Sequence, residues 1–399
     1  MAATPTYKIE FAIKEVDERL GVFIDSSEKT KGSAYHEVKA NDTLVTIKII
    51  RTAEEQENFD KKGKELSGDE LPSFFTIGEG VTKIIKDNST CEYMATEPGL
   101  VRFSPDSITH LKDKPIIKED ISNQTGNIVF SGDLVCQEHI RSSTKLEIGG
   151  NLLIAKTVED HVKINCKGNL DIGWGANGKS SLIYCQKNCT IGYLENSLLI
   201  CDGDIDIKTH TMMARIYSRS NVKVQGVGVT SKTRGAVVGG IINALESIQI
   251  KSAGAEGCET KLIVGIDLRV ETQVKEAQKL YAEMERTILI SQQEIETFIS
   301  AAGKAENLGK MGNKAKALVK EKLLELKAEQ KELMKLEGKV NKLKNMLYSK
   351  NLKNVYISLQ DFLCPISSIQ IKDSEEHFKN KVPGMSRYKL VEGKVTKTI

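Results

Sequence analysis

Residues 131–170 read SGDLVCQEHIRSSTKLEIGGNLLIAKTVEDHVKINCKGNL, and one phrase recurs in them: Gly132-Asp133-Leu134, Gly150-Asn151-Leu152, Gly168-Asn169-Leu170. Gly203-Asp204-Ile205 repeats it in full, and Asn188 and Asn221 carry degenerate copies. From Asp133 these Asn/Asp positions lie 18, 18, 19, 16 and 17 residues apart. A repeat this short cannot bury its own apolar face, so it must stack on its neighbours.

Between the corners runs a second alternating phrase, at Leu146 to Ile148, Val162 to Ile164, Leu182 to Tyr184, Leu198 to Ile200 and Ala214 to Ile216. Period-two alternation is the strand signal. A six-residue sub-period links Ile128, Leu134, Ile140, Leu146, Leu152, Val158, Ile164 and Leu170. Three such faces make one turn, which predicts a three-sided parallel β-helix.

The polar corners have a physical role. Glycine admits positive φ, and Asn or Asp tolerates the left-handed region while bonding nearby backbone. Stacked corners predict a ladder through Asn151, Asn169, Asn188, Asp204 and Asn221. Three positions earlier, Ile148, Cys166, Cys185, Cys201 and Ser218 predict an interior column of small side chains. Buried packing is the common role of such cysteines, and redox or metal chemistry the sharper alternative. The eight cysteines form no CxxC pair, and Cys185 with Cys189 lacks a partner pair at metal-ligand spacing. No metal, cofactor or catalytic residue is expected.

The chain has 399 residues and a formal net charge of +3, from 57 basic and 54 acidic side chains, which favours neither nucleic acid nor membrane as a partner. Met1 to Glu10 shows no secretory pattern, and no apolar window is long enough to span a bilayer. A cytoplasmic protein with reduced thiols is expected.

Regularity fails twice. Residues 226–240, GVGVTSKTRGAVVGG, hold five glycines. They lack the spacing of a phosphate-binding loop. A surface loop or a glycine-tightened coil is expected there, with Lys232, Arg234, Gly235, Gly239 and Gly240 as a candidate interaction loop. From about Glu271 the apolar period changes to three and four: Val274, Ala277, Tyr281, Met284, Ile288, Ser291, Ile295, Phe298, Ala302, then Val319, Leu323, Leu326, Gln330, Leu333, Val340, Leu347. This predicts two helices in an antiparallel coiled-coil hairpin, turned by Gly303, Gly309 and Gly312, and about 45–50 Å long. Residues 271–300 carry three basic and six acidic side chains, and residues 301–350 thirteen and six, so the facing helices have opposite signs. Lys310, Lys314, Lys316, Lys320 and Lys322 form a candidate basic surface, for which a solvated face is the commoner explanation.

Alternation returns at Val355 to Ile357 and Ile369 to Ile371, so the helices interrupt a solenoid that closes after them. Open solenoid edges invite further pairing, and the C-terminal segment is expected to supply a cap. The expected division is an N-terminal α+β module and linker at 1–104, β-helix at 105–267, helices at 268–350, and closing coils at 351–399. Ala53 to Lys62 reads as a polar helix of the first module, and the stretch around Pro105 to Pro115 as a linker leading into the first coil.

Several stretches carry a family resemblance: Thr125 to Ile128, Ser131 to Leu134, Arg234 to Gly240, Ala244 to Ile250, Ala253-Gly254 and Thr260 to Asp267. Repeat, glycine-rich stretch and helices in this order, over about residues 75 to 371, resemble the flagellar assembly protein A family. The N-terminal region departs from the family's pattern. The resemblance implies a right-handed β-helix and a non-enzymatic scaffold with protein partners in flagellar assembly or polar organisation, placed at the cell pole. Whether it forms a homodimer stays open. Two other classes remain. A β-helix enzyme would use His139, His161 or His210 as a base, with Glu159-Asp160-His161 as a weak cluster, or Asp171, Asp204 and Asp206 on a polysaccharide. A polymerising element would stack its coils end to end.

Overall fold

The computed structural model describes residues 6–11, 34–50, 75–87, 90–104, 106–231, 233–304, 313–348 and 354–398. Its centre is a parallel β-solenoid of three faces. On the first, Ile128, Leu146, Ile164, Ile183, Leu199, Ile216, Ile242, Leu262 and Ile369 stand in register, one per coil. The second aligns Leu134, Leu152, Leu170, Cys189, Ile205, Val222, Ile248 and Ile357. On the third, Ile140, Val158, Ala176, Leu194, Thr211, Val237, Ala253 and Leu363 follow one another. All three columns are buried. The six-residue sub-period is therefore the step from one face to the next.

The expected ladder forms, by a simple rule. Each corner side chain accepts the backbone N–H of the next corner residue: Asp133 from Asn151 (2.6 Å), Asn151 from Asn169 (2.8 Å), Asn169 from Asn188 (3.2 Å), Asn188 from Asp204 (3.0 Å) and Asp204 from Asn221 (3.1 Å). The Asn151 N–H holds the Asp133 carboxyl below its ordinary value. The expected reason for the glycines is corrected. Neither Gly150 nor Gly168 has positive φ, and neither does any ladder residue. A Cβ on Gly150 would lie 2.2 Å from Asp133 Oδ1, and one on Gly168 2.5 Å from the Gly150 carbonyl. The glycines are there because stacked corners leave no room for a side chain.

The interior column also forms: Ile148, Cys166, Cys185, Cys201, Ser218 and Ala244 are in register and buried. Its polar members do more than fill space. Cys166 Sγ lies 3.3 Å from Gly150 O and 3.4 Å from Asn169 O; Cys185 repeats the pattern toward Gly168 O and Asn188 O, both at 3.3 Å. Ser218 Oγ donates to Gly203 O at 2.7 Å in the same way. The thiols thus add a second contact to corner carbonyls that already accept a backbone N–H from the neighbouring coil.

The chain leaves the solenoid after strand Thr260–Val264 and returns in Tyr356–Leu359, which pairs with Ser247–Ile250; Ser367–Ile371 then pairs with Thr260–Val264. The excursion is α1, Leu268–Lys304, and α2, Asn313–Leu347. Val274, Ala277, Ile288 and Ile295 of the expected apolar series are buried, as are Val340 and Leu347. Leu323 departs from it and is exposed. The side chains of Phe298 and Ala302 lie outside the described residues. Among the described residues no helix is long and apolar enough to cross a membrane.

Both solenoid ends are covered. The N-terminal residues form two four-stranded sheets, in the orders Thr6–Phe11, Thr43–Ile50, Thr90–Ala95, Val81–Asp87 and Tyr35–Val38, Gly99–Ser104, Ser107–Leu111, Thr76–Ile77. The expected linker after Pro105 is corrected: Ser107–Leu111 is a strand paired with Gly99–Ser104, so the boundary at 105 would cut a hairpin. The expected helix at Ala53 to Lys62 lies outside the described residues. Tyr35 and Leu100 join the solenoid core, and Arg102 grips Glu119 through two bonds of 2.6 and 2.8 Å. Burial raises the Glu119 carboxyl, but bonds from Arg102 and Tyr35 outweigh it and hold it below its ordinary value. At the other end Ser374–Phe378 and Ser386–Val391 pair antiparallel on the last parallel strands.

Candidate interaction sites

The glycine-rich stretch divides in two. Gly226 and Gly228, at φ +68° and +77°, turn the chain out of the wall. Lys251 Nζ holds that foot by donating to Val229 O at 2.8 Å and Gly226 O at 3.4 Å. Ser231 Oγ accepts the N–H groups of Thr233 (3.2 Å) and Arg234 (3.1 Å), closing a tight turn. From Gly235 onward the chain is solenoid wall. Gly235 N–H donates to Gly254 O at 2.8 Å, and a Cβ there would meet the Ala253 backbone at 2.7 Å. Gly239 and Gly240 lie in strand Val237–Ala244 at positive φ, and a Cβ on Gly240 would reach Ala214 O at 2.2 Å. This corrects the expected interaction loop: Gly235 and Gly239 are buried and Gly240 half-buried, all three serving coil stacking. Arg234 is exposed, and Lys232 lies outside the described residues.

The loop overhangs a cleft of about 470 Å³, with Glu195 and His210 opposite Thr230, Ser231 and Arg234. His210 Nε2 is 2.8 Å from Glu195 Oε1, its Nδ1 is 3.2 Å from Thr209 Oγ1, and its ring stacks on Tyr193 at 5.7 Å. Thr209 Oγ1 in turn donates to Gly192 O at 2.9 Å. Both imidazole nitrogens have a hydrogen-bonding neighbour, so the ring is held in one orientation. The pairing crosses coils of unequal length, with a register shift between Ile172 and Gly175 one coil away, so counting along the chain missed it.

The other expected catalytic groups are not brought together. Glu159 turns from His161 to Arg141 and Ser142. His139 Nδ1 faces Thr157 Oγ1. Asp171 and Asp206 both align with Thr190, which separates them by a coil, and Asp204 belongs to the corner ladder. Burial pushes the Cys136 and Cys189 thiols up, away from the reactive thiolate. Among the described residues no three metal-ligating side chains cluster.

The root of the helices is a second polar site. Buried Asp267 caps α1: its Oδ1 accepts the N–H of Arg269 at 3.0 Å and of Val270 at 3.4 Å. Arg269 bridges Asp267 (3.2 Å) to Asp202 (3.5 Å), Arg219 lies 3.6 Å from Asp267, and Tyr184 donates to Asp202 at 2.6 Å. Buried Asn243 donates to Ile266 O at 2.8 Å and accepts Leu268 N–H at 3.2 Å. Ile263, Ile266, Val270, Val274 and Leu347 pack together beneath. Farther out, Lys322 of the expected basic surface pairs with Glu294 of α1 at 3.2 Å, and Lys320 is exposed. Lys310 and the side chains of Lys314 and Lys316 lie outside the described residues.

These features define a β-solenoid, covered at both ends, with a two-helix insertion rooted in its wall. The chain belongs to the flagellar assembly protein A family: the family model "Flagellar Assembly Protein A beta solenoid domain" matches residues 113–395. No curated protein and no solved structure matched the chain.

Proposed function

We propose that the chain is a non-enzymatic scaffold of flagellar assembly or polar organisation, working through protein–protein contacts. The solenoid, right-handed as in the family resemblance, is the rigid platform. Residues 268–350 form an antiparallel coiled-coil hairpin that carries a binding surface, and the N-terminal module and residues after 351 close the platform. The observation that carries this reading is the root. Four solenoid side chains, Tyr184, Asp202, Arg219 and Asn243, are spent on fixing the first turn of α1 and the residues before it. A projection held this firmly is suited to presenting a surface at a set angle. Covered ends disfavour end-to-end stacking of coils.

The test uses the bridge between Ile266 and Tyr348, which places the two ends of the insertion side by side. Replacing residues 271–346 by a short glycine linker leaves the solenoid intact. Native partners co-purifying with the full chain are expected to be lost from this variant. Unchanged recovery would remove the helices from the function.

A further inference from the structure

One edge of the third solenoid face carries an unusual surface. Trp174, the only tryptophan in the chain, is 58% exposed. It stands beside Gly192, whose carbonyl accepts Thr209 N–H, and Thr211, two residues on, aligns with Val237, so four successive coils share this edge. Three coil steps of about 4.8 Å make a strip of about 14 Å, the span of four or five residues of extended chain. Along it lie Trp174, its ring edge-on to His139 at 6.0 Å, then Tyr193 stacked on His210, and finally the cleft lined by Arg234. Val227, 60% exposed, flanks Lys208, whose carbonyl accepts its N–H.

The charges on this edge are unequal in their commitments. Glu138 is paired with Lys156 and Glu159 with Arg141, while Glu195 shares a hydrogen bond with His210. Lys208 and Arg234 join no ion pair among the described residues; the recorded partner of the Arg234 guanidinium is the Met212 thioether at 3.1 Å, a weak acceptor. A guanidinium left to a sulfur has most of its donors available for a carboxylate. An exposed Trp with Tyr and Arg on a rigid strip is the composition of a binding hot spot.

We infer that the strip from Trp174 to Arg234 docks an extended acidic peptide segment of a partner protein. An aromatic or large apolar side chain of the peptide packs against Trp174 and Tyr193. Its carboxylates, about three residues farther on for Lys208 and four or five for Arg234, meet these two cations. This rests on the scaffold reading and adds a second contact surface, distinct from the helices.

The test is selection of linear heptapeptides from a random display library on the full chain, followed by titration of synthetic winners. Because Trp174 is the sole tryptophan, its fluorescence reads occupancy directly. The winners are expected to combine acidic residues with an aromatic one, to quench or shift Trp174, and to bind more weakly as salt rises. The double variant Lys208→Glu/Arg234→Glu, and separately Trp174→Ala followed by peptide fluorescence polarisation, should each weaken binding about tenfold or more. Winners that are basic, no enrichment over an unrelated protein, or equal affinity in the variants would overturn the proposal. So would tighter binding of oligogalacturonate at the same residues, which would assign the strip to an acidic saccharide. The variant lacking residues 271–346 should bind the winning peptides unchanged, so this proposal and the role of the helices fail separately.

Discussion

A single corner residue shows how closely the coils stack. Gly168 has ordinary φ, yet a Cβ there would sit 2.5 Å from the Gly150 carbonyl one coil below. The neighbour is backbone and already bonded, since Gly168 N–H donates to Gly150 O at 2.8 Å. Gly168→Ala should therefore cost about 1–3 kcal/mol, the usual range for overpacking, read as a lower urea midpoint. Gly338 is the contrast: it lies within α2 with nothing inside 4 Å of its Cβ position. Gly338→Ala should stabilise by about 0.5–1 kcal/mol, because it lowers the entropy of the unfolded helix segment without a clash. Equal effects at the two sites would show that the stacked corner yields. Gly-Asn and Gly-Asp were legible as corners from their period alone. Their cause was not, because a close approach between residues 18 apart depends on coil rise, which local sequence does not carry.

Among the elements, α1 depends on its first turn. Asp267 both caps the helix and answers Arg219 and Arg269, at 3% side-chain exposure. Asp267→Ala removes the cap, worth about 0.5–2 kcal/mol, and leaves two guanidinium groups without their shared carboxylate. The expected outcome is faster hydrogen exchange in residues 266–275 while the solenoid columns stay protected. Asp267→Asn, which keeps a capping oxygen but no charge, should fall between wild type and Ala. Uniform loss of protection along the whole chain would instead mean that root and solenoid unfold together. The helices themselves were legible from their three-four period, as Val274, Ala277 and Ile288 show. Their attachment was not: Tyr184, Asp202, Arg219 and Asn243 come from four different coils and share no motif.

For the whole molecule, the decisive feature is that a parallel ladder ends in antiparallel strands. Ser374–Phe378 and Ser386–Val391 cover Ser367–Ile371 and Tyr356–Leu359. Removing residues 374–399 would expose rows of unpaired backbone N–H and C=O groups on an apolar, in-register edge. That variant should self-associate with rising concentration in light scattering, whereas the full chain should not do so through this end. A monodisperse truncated chain would show that the edge is protected by other means. The sequence by itself determined the coil: its period, its three faces, its interior columns and the two places where regularity fails are all local patterns of polarity and size. Only the tertiary structure decided what those patterns bring together. It set Glu195 against His210, lined up Trp174, Tyr193 and Arg234 along one edge, moved Gly235, Gly239 and Gly240 from loop to wall, and turned Ser107–Leu111 from linker into strand. The reason is physical: stacking at a fixed rise converts small differences in coil length into the alignment of particular side chains, and that alignment exists only once neighbouring coils are in register.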